Sequence, residues 1–253
     1  MRLPRRLPHG HEVQLVGHLE ELRSRLFVAG GAVIVTTIAA FTVHARVIGL
    51  LVDKLPAHHR HLLTLGVSEP FTTSLKVSIA LGFALAFPIV VWQLWSFVAP
   101  ALNPLTQRSI AGFTVFAAGL MAGGIVFGYR IALPAALHFL TNYDNQVYNV
   151  QIRAADFISF AVLVLAACGA VFELPIVVLG LVRVGALTSE KLRKNRRIGY
   201  MIVAVIGVAL PGVDPITTIV ETIPLAILFE ASIWLSVMFE KRWNATTAVP
   251  TGA

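Results

Sequence analysis

The chain has 253 residues, 57% of them hydrophobic and 13% charged, with a mean hydropathy of +0.78. Soluble domains carry about 25% charged residues, so the composition excludes an ordinary soluble protein and points to an all-α polytopic membrane protein. The net charge of +7 does not indicate nucleic-acid binding, because the apolar runs leave no soluble domain to carry a basic face; it reads as membrane topology and contact with anionic lipid.

Cys168 is alone and lies in an apolar run, which excludes an intrachain disulfide. There is no HExxH, GxSxG or P-loop motif and no Cys/His ligand spacing, so neither metal nor cofactor is expected. The basic N-terminal arm lacks a short apolar core ending in a cleavage site and does not read as a removable signal peptide. Leu15, Leu19, Leu22 and Leu26 fall on one helical stripe with charges opposite, which predicts an amphipathic helix lying on the membrane surface within an arm of residues 1–25.

A transmembrane helix needs roughly 20 apolar residues. Six candidates follow within residues 26–239, at about 26–43, 77–98, 110–127, 157–182, 198–210 and 216–239, before a tail at 240–253. The fifth covers only about 20 Å at ~1.5 Å per residue, less than a ~30 Å hydrocarbon core, and must thin the bilayer or be shielded by neighbours. PGVDP separates spans five and six, and Asp214 is positioned to cap the last helix. Of the 20 lysines and arginines, fourteen fall on the side of the two termini and six on the other, which predicts cytoplasmic termini. The segments 44–76 and 128–156 are long enough for outer caps with short helices. Trp92, Trp95 and Phe97 form an aromatic belt at the inner end of span two. The chain has no evident internal repeat.

Glu173 is the sharpest feature: a carboxylate in GAVFELPIVVLGL, with Pro175 two residues later. An ionisable group within a span costs several kcal/mol unless it meets a cavity or a partner, and Pro175 is expected to kink the helix. The alternative is a packing role, with a neutral acid hydrogen-bonded to a neighbouring helix. Glu221 and Glu230 on span six are nine residues apart and point to nearly opposite faces; Glu221 lies nearer the outer end and Glu230 at the inner interface. Glu20 and Glu21 sit beside Arg23 and Arg25. Glu21–Arg25 reads either as a helix-supporting i,i+4 pair or, with Glu20, as an acidic patch for a basic ligand. Pro100 and Pro104 stiffen the loop after span two. Gly119-xxx-Gly123 reads as a helix-packing signal, and His58, His59 and His61 as a solvated loop.

Taken in order, HLEELRSRL, SEPFTTSLKVS, FPIVVWQLWSFVAPAL, FGYRIALP, FELP, the basic loop ending in RR, LPGVDP and PLAILFE resemble the TatC family, the multispanning receptor of the twin-arginine protein translocase, from about His18 to Glu230. The resemblance implies a concave, cup-like six-helix bundle with outer caps and short fifth and sixth helices, in a bacterial cytoplasmic membrane. It implies no chemistry of its own, no cofactor, and transport driven by the proton gradient. The implied partners are twin-arginine signal peptides, TatA/TatB-like single-span subunits and an oligomeric complex. By position, Glu21 with Glu20 beside it, Arg23, Phe97 and Pro100 would form the signal-peptide site, with Thr106 or Gln107 where the family carries a second glutamate. Glu173 would be the intramembrane glutamate on a water-accessible face. Asp214, Thr218 and Glu221 would lie at the outer turn and partner contact. The sequence departs from the family at Thr106/Gln107, which carry no charge, at Leu50 in place of a proline, and at Thr218 in place of a polar residue that is commonly glutamine. The first departure leaves open a diverged paralogue with altered recognition. An intramembrane enzyme would need Glu173 paired with Glu221 or Asp214; a proton-coupled small-molecule transporter would use Glu173 as its proton site.

Overall fold

The computed structural model describes residues 15–98, 110–143, 151–183, 185–211 and 214–247. The described residues are almost wholly helical: α1 (Leu15–Phe41), α2 (His44–Val52), α3 (Glu69–Val98), α4 (Ile110–Phe127), α5 (Leu133–Asn142), α6 (Ala154–Phe172), α7 (Leu174–Arg183), α8 (Ser189–Lys194), α9 (Arg196–Ala209) and α10 (Pro215–Thr247). Five runs are long and apolar enough to cross a bilayer, at Leu19–Phe41, Glu69–Phe97, Ala111–Asn142, Ala154–Arg183 and Pro215–Glu240. The remaining expected span, the fifth, is α9, and its 14 residues cover about 21 Å, the anticipated short helix.

Several boundaries differ from expectation. No break separates a surface helix from the first span, because α1 is one helix of 27 residues; LRSRLFVA holds no proline or glycine to interrupt it, and the Glu21–Arg25 pair bridges the junction. The sixth helix is not short, since α10 has 33 residues and passes through Pro224. At FGYRIALP a π turn, Gly128–Ala132, links α4 to α5, with the Leu133 amide donating to Gly128 O; the wider turn eases entry of Pro134, which has no N–H and crowds the preceding turn.

The chain forms two compact units, residues 1–47 with 74–119, and 48–73 with 120–253. In the first, the Thr36 hydroxyl donates to Gly82 O at 2.7 Å. A Cβ on Gly82 would lie 2.6 Å from Thr37 Cα, so the first two spans touch backbone to backbone. In the second unit, α4 and α6 meet at Gly124, where a Cβ would lie 2.5 Å from Cys168 O. Gly119-xxx-Gly123, the expected packing signal, does not carry this contact: Gly119 has nothing within 4 Å and Gly123 only the Phe172 ring edge at 3.9 Å. α10 packs chiefly against α7 and α9, around Val203, Leu225, Phe229 and Ile233. The Phe229 ring sits over Gly199, and Thr222 against Gly207. Small residues of this kind let helices approach closely where lipid supplies no hydrophobic drive between them.

Candidate functional site

The acidic pair lies near the start of α1. Arg25 pairs with Glu21 through Nη2, and its Nε donates to Glu21 Oε1 at 3.1 Å. Glu20 is exposed and, among the described residues, makes no ion pair or hydrogen bond. The Arg23 guanidinium stands 5.6 Å from the Phe27 ring centroid, a cation–π contact. Hence Glu20 is the open carboxylate and Glu21 is already partly neutralised, as its i,i+4 spacing foretells. Further along the same unit, Trp95 and Phe113 pack with centroids 5.1 Å apart at the end of α3 that also holds Phe97. Pro100, Thr106 and Gln107 lie outside the described residues.

Glu173 sits at the break between α6 and α7. Its backbone, at φ −75° and ψ −8°, closes α6, and the amides of Ile176 and Val177 both return to its carbonyl at 3.0 Å. Pro175 falls in the first turn of α7, where a missing N–H costs nothing. The expected kink is therefore a clean interruption that places the carboxylate at a helix junction. Glu173 keeps 8% of its surface exposed, so it is enclosed here, where the resemblance implied an open aqueous face. Among the described residues neither oxygen has a well-formed hydrogen bond, the Met121 backbone being the group that comes nearest to one.

The start of α10 forms a second polar locus. Asp214 Oδ1 accepts the Thr217 amide at 2.7 Å, the cap expected from PGVDP. Asp214 Oδ2, the Thr217 hydroxyl and both Glu221 oxygens are buried without partners among the described residues. These three residues recur at i, i+3 and i+7 and so share one face of α10. Thr218 turns its hydroxyl to Asp214 O at 2.9 Å. Because both Glu173 and Glu221 lack well-formed hydrogen bonds, they form no carboxylate dyad, and the geometry an intramembrane protease would need is absent among the described residues. Glu230, nine residues on, accepts from Tyr200 at 2.9 Å and pairs with Arg196 at 2.9 Å; it is an interhelical anchor joining α10 to α9.

Sequence reasoning missed Glu69. This buried residue accepts the amides of Leu65 at 3.0 Å, Gly66 at 3.2 Å and Ala155 at 2.9 Å, and the Arg153 Nε at 3.2 Å. It clasps the turn before α3 to the start of α6, beside a parallel bridge between Leu63 and Arg153. The available signal was a glutamate directly before Pro70 at a helix start.

Comparison with known proteins gives a consistent result. Residues 17–224 match the family model described as Sec-independent protein translocase protein (TatC). A Carboxydothermus hydrogenoformans protein named Sec-independent protein translocase protein TatC is 35% identical over 223 residues, covering 88% of this chain and 92% of its own. The Bacillus subtilis protein TatCd is 34% identical over 241 residues, covering 94% and 97%. A crystal structure of a twin-arginine translocase receptor, TatC, superposes with a TM-score of 0.76 at 32% identity, covering 87% of this chain and 99% of that one. These relatives are named as translocase components, a transport role and not an enzymatic one.

Proposed function

Since the chain belongs to the TatC family of Sec-independent protein translocase proteins, a membrane family of the twin-arginine transport pathway, we propose that it is the receptor and scaffold subunit that binds twin-arginine signal peptides for export of folded proteins. The observation that carries this reading is the family match beginning at residue 17, which takes in the exposed Glu20 and the Arg25-paired Glu21. A guanidinium favours paired carboxylates, and these two residues supply one open and one shared. On this reading the termini are cytoplasmic in a bacterial plasma membrane. The signal's apolar segment inserts near Glu173, single-span partner subunits dock along the outer turn around Asp214, Thr218 and Glu221, and several copies assemble under the proton gradient.

The uncharged Thr106 and Gln107 favour one other reading, a diverged paralogue with altered recognition. Expression of the chain in a host deleted for its own TatC-like subunit, with a folded fluorescent reporter behind a twin-arginine signal, separates the two. Restored export supports the receptor. Stable membrane insertion without export, under conditions where a relative restores it, supports the paralogue.

A further inference from the structure

The segment between α7 and α9 uses little of its charge internally. Span four ends at Arg183. Gly185, at φ +81°, then reverses the chain, its amide and that of Ala186 donating to Val182 O and Leu181 O at 3.1 and 3.0 Å, the helix-closing pattern glycine permits. The chain that follows forms α8 and leads into α9. Ser189, Glu190, Arg193, Lys194 and Arg196 line a surface recess of about 500 Å³.

Two carboxylates near this recess are already engaged. Glu230 is held by Arg196 and Tyr200, and Glu240 accepts the Ser189 amide at 3.0 Å. The lining itself has three cations against one carboxylate, Glu190. Arg193 and Lys194 are exposed and make no ion pair among the described residues, and Arg196 is oriented by Glu230. Immediately past the recess, α9 exposes an apolar stripe of Ile198, Met201, Ile202 and Val205, at i, i+3, i+4 and i+7. A cationic recess at the end of a span that continues into an exposed apolar rail fits an amphiphile with an anionic head.

We infer that this recess binds the phosphate headgroup of an anionic phospholipid, with the acyl chains lying along the α9 stripe. A free phosphate would satisfy the cations but leave the stripe unused. A zwitterionic lipid would use the stripe but bring its own cation to Arg193 and Lys194. The short α9 gives such a lipid a structural role, since an ordered lipid at its end would seal the thin part of the boundary. The site is independent of signal recognition, so it stands or falls separately from the receptor reading.

The test uses the purified full chain in detergent, titrated with phosphatidylglycerol or phosphatidylcholine and read by native mass spectrometry of retained lipid. Each lysine or arginine near an anionic surface contributes on the order of 1 kcal/mol, so the Arg193→Gln/Lys194→Gln double variant should weaken phosphatidylglycerol retention by roughly tenfold or more. Phosphatidylcholine retention should not change. Arg193→Lys should retain binding, and so should Arg46→Gln/Arg130→Gln, which removes the same charge elsewhere. Equal loss in that second double variant, no loss in the first, or displacement of phosphatidylglycerol by inorganic phosphate at equal concentration would overturn the inference.

Discussion

Gly124→Ala is the perturbation whose outcome the structure fixes most tightly. A Cβ at this position would lie 2.5 Å from Cys168 O, 2.9 Å from Gly169 Cα and 2.9 Å from Phe172 Cβ. Two of these three atoms are backbone and cannot swing aside. Contacts under 3.0 Å are essentially never tolerated, so α4 must retreat from α6 by at least about 0.5 Å, the difference between 3.0 and 2.5 Å. A radial gap of ~0.5–1 Å forfeits a quarter to a half of each dispersion contact along the seam, and such overpacking typically costs ~1–3 kcal/mol. Alanine returns at most ~1 kcal/mol through better helix propensity, leaving a net loss of up to roughly 2 kcal/mol when that gain is realised in full. Gly119→Ala, with nothing within 4 Å, receives the propensity gain without the clash. Thermal unfolding in one detergent should lower the Gly124→Ala midpoint by several degrees, at ~2–4 °C per kcal/mol for a chain of this size, and leave Gly119→Ala unchanged or slightly raised. Equal midpoints for the two variants, or the reverse order, would refute the assigned helix face.

Other expectations follow from the same geometry. Asp214→Ala removes the acceptor for the Thr217 amide and should cost ~0.5–2 kcal/mol in thermal unfolding, whereas Asp214→Asn should keep most of the cap; equal losses would mean the cap is not what stabilises this turn. Glu69→Ala frees three backbone amides and Arg153, so hydrogen exchange should accelerate at Leu65, Gly66 and Ala155 together, and acceleration confined to one of the two segments would deny the clasp. Glu173→Leu places an apolar group where the carboxylate has no well-formed hydrogen bond among the described residues, so folding should survive and reporter export should fall; wild-type export rates in both Glu173→Leu and Glu173→Gln would remove Glu173 from the mechanism.

The spans were legible because hydropathy over 20 residues is a one-dimensional signal, and the short α9 could be counted directly. The Asp214 cap was equally local, a turn residue ahead of an apolar run. Glu173 stood out as a lone carboxylate between apolar neighbours, but its position at a helix break depended on how the Pro175 turn resolves. The packing glycines were not legible in register. Gly119, Gly123, Gly124 and Gly128 offer two consecutive four-residue spacings, 119/123 and 124/128, on different faces, and only the neighbouring helix decides between them. Glu69 escaped for a related reason: its partner Arg153 lies 84 residues away, and nothing local to SEPF announces it. The continuity of α1 was hidden by the change from charged to apolar residues near Leu26, which alters the surroundings of a helix without ending it.

Under the proposed receptor role, this chain recognises paired arginines although Thr106 and Gln107 lack charge. The most direct measurement is binding of a twin-arginine signal peptide to the purified protein, against the same peptide with both arginines replaced by lysine. The expected result is saturable binding of the arginine peptide that is lost with lysine, because the flat guanidinium fork, and not charge alone, is what carboxylates such as Glu20 and Glu21 select. Equal binding of both peptides, or binding of neither, would contradict the receptor assignment.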